Sequence, residues 1–194
     1  MRALVVALTV LLSSSAAFGQ TWVVAAGSVV RVRAEHPFQS VVLESHAPEG
    51  QVRWSATAPT DFAGWIEQPL SVAWASFDSG NANRDAVIRE RVRSYRYPLV
   101  HVVPESYSRV VTTADGGVYA DMTARVYVAG RMQRAVAKVQ LRPEGPQELL
   151  LQTRAALRMS DFLIEAPALL FLAADDEVIV ELELRLRAAA ISGP

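Results

Sequence analysis

The sequence predicts an all-β fold, an antiparallel barrel of about eight strands with one short helix inserted. Three observations predict it. Long stretches alternate apolar and polar residues with a period of two, as strands with one wet and one buried face do. Turn-forming clusters separate these stretches at hairpin spacing. One segment, Ser76–Pro98, instead carries helical spacing and cap residues. Closure into a barrel removes the edges an open sheet would expose, although a β-sandwich satisfies the same pattern.

In chain order, Trp22–Arg33 and Ser40–Glu44 read as strands, and His46–Gly50 as a turn. Gln51–Thr57 is a short strand ended by Ala58-Pro59-Thr60-Asp61, and Ile66–Phe77 sets Leu70, Val72 and Trp74 against Ser71, Ala73 and Ala75. Asn81 or Asn83 caps the helix predicted over 82–95, with Asp85 in its first turn, i,i+4 to Arg89. Ile88, Val92 and Tyr95 share a face that packs inward, leaving Arg84, Arg89, Arg91 and Arg93 to solvent. Pro98 returns the chain to extended structure.

Leu99–Val103 and Arg109–Thr113 follow as separate strands, the first stopped by Pro104. Val118–Val128 places Ala120, Met122, Ala124 and Val126 on one face and Tyr119, Asp121, Thr123 and Arg125 on the other. Ala129-Gly130 is a tight hairpin into Arg131–Leu141. Pro143–Pro146 turns the chain into Glu148–Arg158, and Glu177–Arg187 is the last strand, with Val178, Val180, Leu182, Leu184 and Leu186 inward. The apolar run Ala166–Ala174 is too short to span a membrane and reads as a core strand or as a lid at the barrel mouth.

The chain has 194 residues, a net charge of −1 and no cysteine. Arg2, the apolar run Ala3–Leu12 and the small residues before Gly19 have the form of a secretory signal peptide over 1–19. That predicts one mature domain, 20–194, in the periplasm or outside the cell, held by packing without disulfides. Removing Arg2 leaves 18 basic and 20 acidic side chains, of which Lys138 is the single lysine. Neither nucleic-acid binding nor a polybasic membrane anchor fits that balance.

Catalytic and metal chemistry find little support. His36 beside Glu35 and His46 beside Glu44 lack metal-site spacing, so no metal is expected. No G-x-S-x-G, G-x-G-x-x-G, P-loop or EF-hand pattern occurs, and Ser79 is explained by its turn, so no catalytic residues are assigned. The inward candidates are instead small or aliphatic: Ala73, Ala120, Ala124, Val126, Ala135, Ala137 and Ala155. They suit either tightly packed strands or an open, nearly uncharged lumen, and an open lumen would select an apolar ligand.

The stretch SFDSGNANRDAVIRERVRSYRYPLVHV resembles the motif of the YceI-like family, with Ser76, Ser79, Gly80, Asn81, Arg84, Asp85, Tyr97 and Pro98 at matching positions. The hairpin around Gly130, Ser160-Asp161-Phe162 and Asp176–Leu182 extend the resemblance over about 22–188. It departs at Leu163, where the family has glycine, at Arg131-Met132-Gln133, at Val102 in place of phenylalanine, and across His46–Val52. The resemblance implies an extended lipocalin-like barrel whose hydrophobic tunnel binds a long isoprenoid or similar lipid, such as a polyprenyl quinone, without a cofactor or catalysis. It admits a transient membrane contact and leaves the oligomeric state open, a dimer included.

On inward phase and nearness to these motifs, Trp74, Ile88, Val92, Val100, Val102, Met122, Val126, Phe162 and Leu163 are expected to line the tunnel. Leu163 and Val102 are expected to set its width and end. Asn81, Arg84 and His101 are the headgroup candidates at its mouth, with His101 able to face either lumen or solvent. Two other readings stand beside lipid binding: an envelope interaction or stress protein with a filled barrel, and an enzyme acting on a bound apolar substrate.

Overall fold

A computed structural model describes residues 20–54, 68–114, 116–166, 168–169 and 172–189. The expected signal peptide, the segment holding Trp65 and the last five residues lie outside it. The strands are β1 (Gln20–Val24), β2 (Val29–Ala34), β3 (Val41–Ser45), β4 (Pro48–Trp54), β5 (Gln68–Ala73), β6 (Leu99–Thr112), β7 (Val118–Val128), β8 (Arg131–Gly145), β9 (Glu148–Arg158), β10 (Ala168–Leu169), β11 (Leu172–Ala173) and β12 (Glu177–Ala188), with helix α1 (Ala82–Arg91) between β5 and β6.

Eight strands close a ring in the order β1-β4-β5-β6-β7-β8-β9-β12, because β12 pairs back onto β1. Every pairing in it is antiparallel. The stretch expected as one strand, Trp22–Arg33, is kinked into β1 and β2, which lie one after the other along β12: Trp22–Val24 against 186–188, and Val29–Ala34 against 178–183. Ser28, at 1% exposure, holds the kink by donating its hydroxyl to Ala25 O (2.8 Å) and accepting the Arg185 N–H (2.9 Å).

Two expected breaks are absent. Pro104 does not stop a strand; β6 runs through it for 14 residues. Proline is tolerated because β5 pairs with β6 only as far as Val102, and the register with β7 shifts between Pro104 and Ser106. Likewise Pro48–Gly50, expected as a turn, opens β4. The sheet bulges between Glu49 and Gln51, where a Cβ on Gly50 would stand 2.5 Å from the Leu70 side chain. Ala129-Gly130 does form the two-residue turn between β7 and β8, with φ of 51° and 76°.

The interior divides along the barrel axis. At the end away from α1, Trp22, Val52, Val118, Leu141, Leu149, Leu184 and Leu186 pack together, none above 4% exposure. Toward α1, Val30, Leu43, Val72, Trp74, Phe77, Val126 and Phe162 form a second cluster around open space. Within the run expected as a core strand or lid, Ala166–Ala174, the described β10 and β11 pair with each other as a hairpin separate from the barrel sheet.

Candidate ligand-binding cavity

The α1 end is built by short polar contacts around residues 76–98. Asn81 caps α1 by accepting the Arg84 N–H at 3.0 Å. Asp85 is turned inward at 6% exposure, where the Ser79 hydroxyl and the Ser79 N–H both donate to it. Those hydrogen bonds, the hydroxyl's first, hold its carboxyl below the usual range, with Arg89 and Arg84 adding to the effect. Arg84 reaches back to Ser79, donating Nε to the hydroxyl oxygen (2.8 Å) and Nη2 to the carbonyl (2.6 Å). Glu44 and Asp78 exchange two backbone hydrogen bonds of 2.9 Å, which sew the turn to β3.

α1 ends at Arg91 because Arg93 takes a left-handed φ of 54°, with Ser94 N–H bonded to Arg89 O and Arg93 N–H to Glu90 O, both 2.9 Å. The helical phase is lost there, so Tyr95 is 83% exposed and not on the inward face with Ile88 and Val92. Arg93 is also not free in solvent, since its Nη2 donates to Ala129 O at 3.0 Å.

Inside the ring lies a cavity of about 620 Å³, within the range of small-molecule sites. Its walls are aliphatic and aromatic: Val30, Val32, Val41 and Leu43 from the β2–β3 hairpin, then inward residues of β5 to β9 and β12. The described lining residues that are exposed, including Gln39, Asn83, Val87, Arg91 and Glu165, all belong to the α1 end, so the cavity reaches the surface there. Among the described lining residues the charged ones are Arg84, Arg91, Arg158 and Glu165, and they stand at that mouth. Arg91 Nη1 donates to Glu165 O at 3.0 Å and ties α1 to the chain leading into β10.

Trp74, Ile88, Val92, Val100, Val102, Met122, Val126 and Phe162 all line this cavity, and Asn81 and Arg84 stand at its mouth. Leu163 does not line it. Leu163 is 64% exposed and caps the 3-10 turn Ser160–Phe162 in the left-handed region, φ 56°. His101 is also absent from the lining; it sits between Val100 and Val102, which point in, and so faces outward beside Tyr127. Ala73 points away from the lumen while Leu70, Val72 and Trp74 enter it.

Two lining residues with hydroxyls escaped the sequence reading. Tyr107 would point outward by simple alternation, but the bulge after Pro104 adds one residue and turns it inward opposite Met122. Burial pushes its phenol well above the ordinary value, so it stays neutral at physiological pH. Thr153 lies in phase between Leu151 and Ala155, a polar residue at a core position. Its Oγ1 is buried without a hydrogen-bond partner among the described residues, as is Trp74 Nε1.

No family model matches the sequence, and no curated protein matches it significantly. Solved structures do. A polyisoprenoid-binding domain from Saccharophagus degradans, implicated in plant cell wall breakdown, superposes with a TM-score of 0.70 at 13% identity, over 88% of this chain and 99% of its own. BcnA of Burkholderia cenocepacia gives 0.63 at 16% identity, over 81% and 95%. The YceI protein of Campylobacter jejuni gives 0.62 at 14%, over 78% and 87%. The chain has the YceI-like fold. Within that fold the stretch 76–98 acts as architecture: Ser79, Asp85 and Arg84 bond one another, Pro98 O accepts the Trp74 N–H at 2.9 Å, and Tyr97 lies against Gly130, where a Cβ would stand 2.3 Å from its ring. The departure at Leu163 falls on a left-handed residue, the conformation that favours the glycine of the YceI-like pattern.

Proposed function

We propose that this protein binds a long-chain apolar lipid of the isoprenoid class inside its barrel, without catalysis, after export to the periplasm or the cell exterior. The observation that carries the reading is the cavity itself: about 620 Å³ of space walled by aliphatic side chains, with the charged residues of its described lining confined to the mouth. Each methylene buried there contributes about 0.8 kcal/mol, so a chain of many methylenes offsets the cost of association without any specific polar contact. A structural neighbour described as a polyisoprenoid-binding domain supports the same class, and a polyprenyl quinone is a member of it.

The other readings have less behind them. A filled barrel is not what the described residues enclose. An enzyme working on a lumenal substrate would draw on His101 beside a carboxylate, and His101 faces outward. The test is native mass spectrometry of protein purified from its extracytoplasmic compartment, followed by organic extraction of whatever it retains. One stoichiometric apolar chain per protein is expected. A protein that is empty and also refuses added polyprenols overturns the reading.

A further inference from the structure

The cavity ends partway down the barrel, and a change in side-chain size marks the place. Above that end its walls carry Ala124, Ala135 and Ala155, which leave room in the lumen. Leu70, Met122, Leu151 and Leu184 form the floor: each lines the cavity, and each also belongs to the packed cluster beneath. The next inward positions below Leu151 and Leu184, Leu149 and Leu186, are buried in that cluster and are not part of the lining. Polar atoms are withheld from the floor as well. Thr153 Oγ1 lies beneath the lining surface, and Tyr107 is engaged in an interaction of its own. Because the charged residues of the described lining stand at the mouth, an amphiphile gains most by sending its apolar end down first.

We infer that this floor, with Met122 in it, is a stop that limits the enclosed chain to about four isoprene units. The inference rests on the lipid-binding reading above and assigns it a chain length. Two measures of the space agree. At about 30 Å³ per carbon, the share a water molecule takes in its liquid, about 620 Å³ holds roughly twenty carbons. Along β7 the lining runs from Met122 to Val128, about 20 Å of strand. At the tilt of a barrel strand that is about 15 Å of depth, roughly three to four extended isoprene units. Further units stay outside the mouth, in water, where they bury nothing and add no affinity. One inward step along a strand is about 7 Å, or about 5 Å of depth, close to one isoprene unit. Ala124 stands one such step above Met122, so the depth of the stop depends on which of the two positions carries the long, unbranched side chain.

The test is a chain-length series of prenols (farnesol, geranylgeraniol, hexaprenol and octaprenol) competed against one another in native mass spectrometry. Affinity in the natural protein is expected to rise by about tenfold or more from farnesol to geranylgeraniol and to change by less than about threefold beyond it. Ala124→Met should bring the plateau forward to farnesol, whose own affinity stays unchanged and so reports an intact fold. Met122→Ala should move the limit the other way, with geranylgeranyl-farnesol (five units) gaining over geranylgeraniol. Opposite shifts in the two variants are not what simple loss of stability produces, and either variant alone suffices if the other does not fold. Affinity that keeps climbing tenfold per step to octaprenol, or one limit shared by all the folded proteins, overturns the stop and leaves lipid binding intact. A protein that binds none of the prenols overturns lipid binding itself.

Discussion

Asp85 shows how one buried charge can hold the rim of a cavity. Its carboxylate satisfies Ser79, and Arg84 anchors the same serine from its other side. Asp85→Asn is expected to lower stability by about 1–3 kcal/mol at pH 7, because a charge-assisted acceptor is lost from a buried network. The pH dependence has a definite sign. The folded carboxyl titrates below its unfolded value of about 3.9, so its contribution is complete above that pH and fades as pH falls through the lower, folded value. The gap in chemical-denaturation midpoint between the natural protein and Asp85→Asn should therefore be constant from pH 5 to 7 and shrink below about pH 4.

Leu163 makes the opposite case, a residue whose apolar character suggested the tunnel and whose backbone tells otherwise. Its left-handed φ and exposure predict that Leu163→Gly leaves lipid affinity unchanged and raises stability by up to ~1 kcal/mol, read as a higher Tm. Val100, Val102, Met122 and Val126 could be placed on the inward face from alternation, because strand phase fixes the face. Tyr107 was not legible, since one inserted residue at a bulge reverses the phase of everything after it and leaves no mark in composition. Thr153 was hidden for a simpler reason: a threonine on a strand ordinarily counts as wet.

At the scale of elements, the β7–β8 hairpin and the chain leaving α1 depend on one another. Gly130 supplies both a positive φ and bare space, and Tyr97 occupies that space with Arg93 5.7 Å from its ring centre. Gly130→Ala should cost about 1–2 kcal/mol for backbone strain and more for the overlap with Tyr97. Pairing it with Tyr97→Ala in a double-mutant cycle should show coupling, measured by denaturant unfolding, because the second change vacates the overlapped volume. The helix and the tight hairpin could both be read from sequence, since cap and turn residues act within a few positions. Pro104 and Pro48 misled because proline's exclusion from sheets holds only where its missing N–H faces a partner strand.

Across the whole molecule, a packed half and a hollow half share one sheet. Enlarging a side chain in the hollow half should fill space without displacing neighbours, so Ala155→Leu and Ala135→Leu are expected to keep or raise Tm while lowering the amount of lipid retained. Loss of both fold and retention would mean that these walls are already in contact. The ring topology was legible as a class, from the number and spacing of strands. The kink that splits β1 from β2 was not, because Ser28 acts through Arg185, 157 positions away.

That distant closure also governs how the chain reaches its final form. The seam of the barrel joins Gln20–Val24 to Leu186–Ala188, so the first strand finds its second neighbour only when the last one is present. Contacts of such sequence separation form slowly, and until they form β1 and β12 each keep an unpaired edge. A chain that still lacks Leu186–Ala188 therefore cannot complete the ring, however well its other strands have paired.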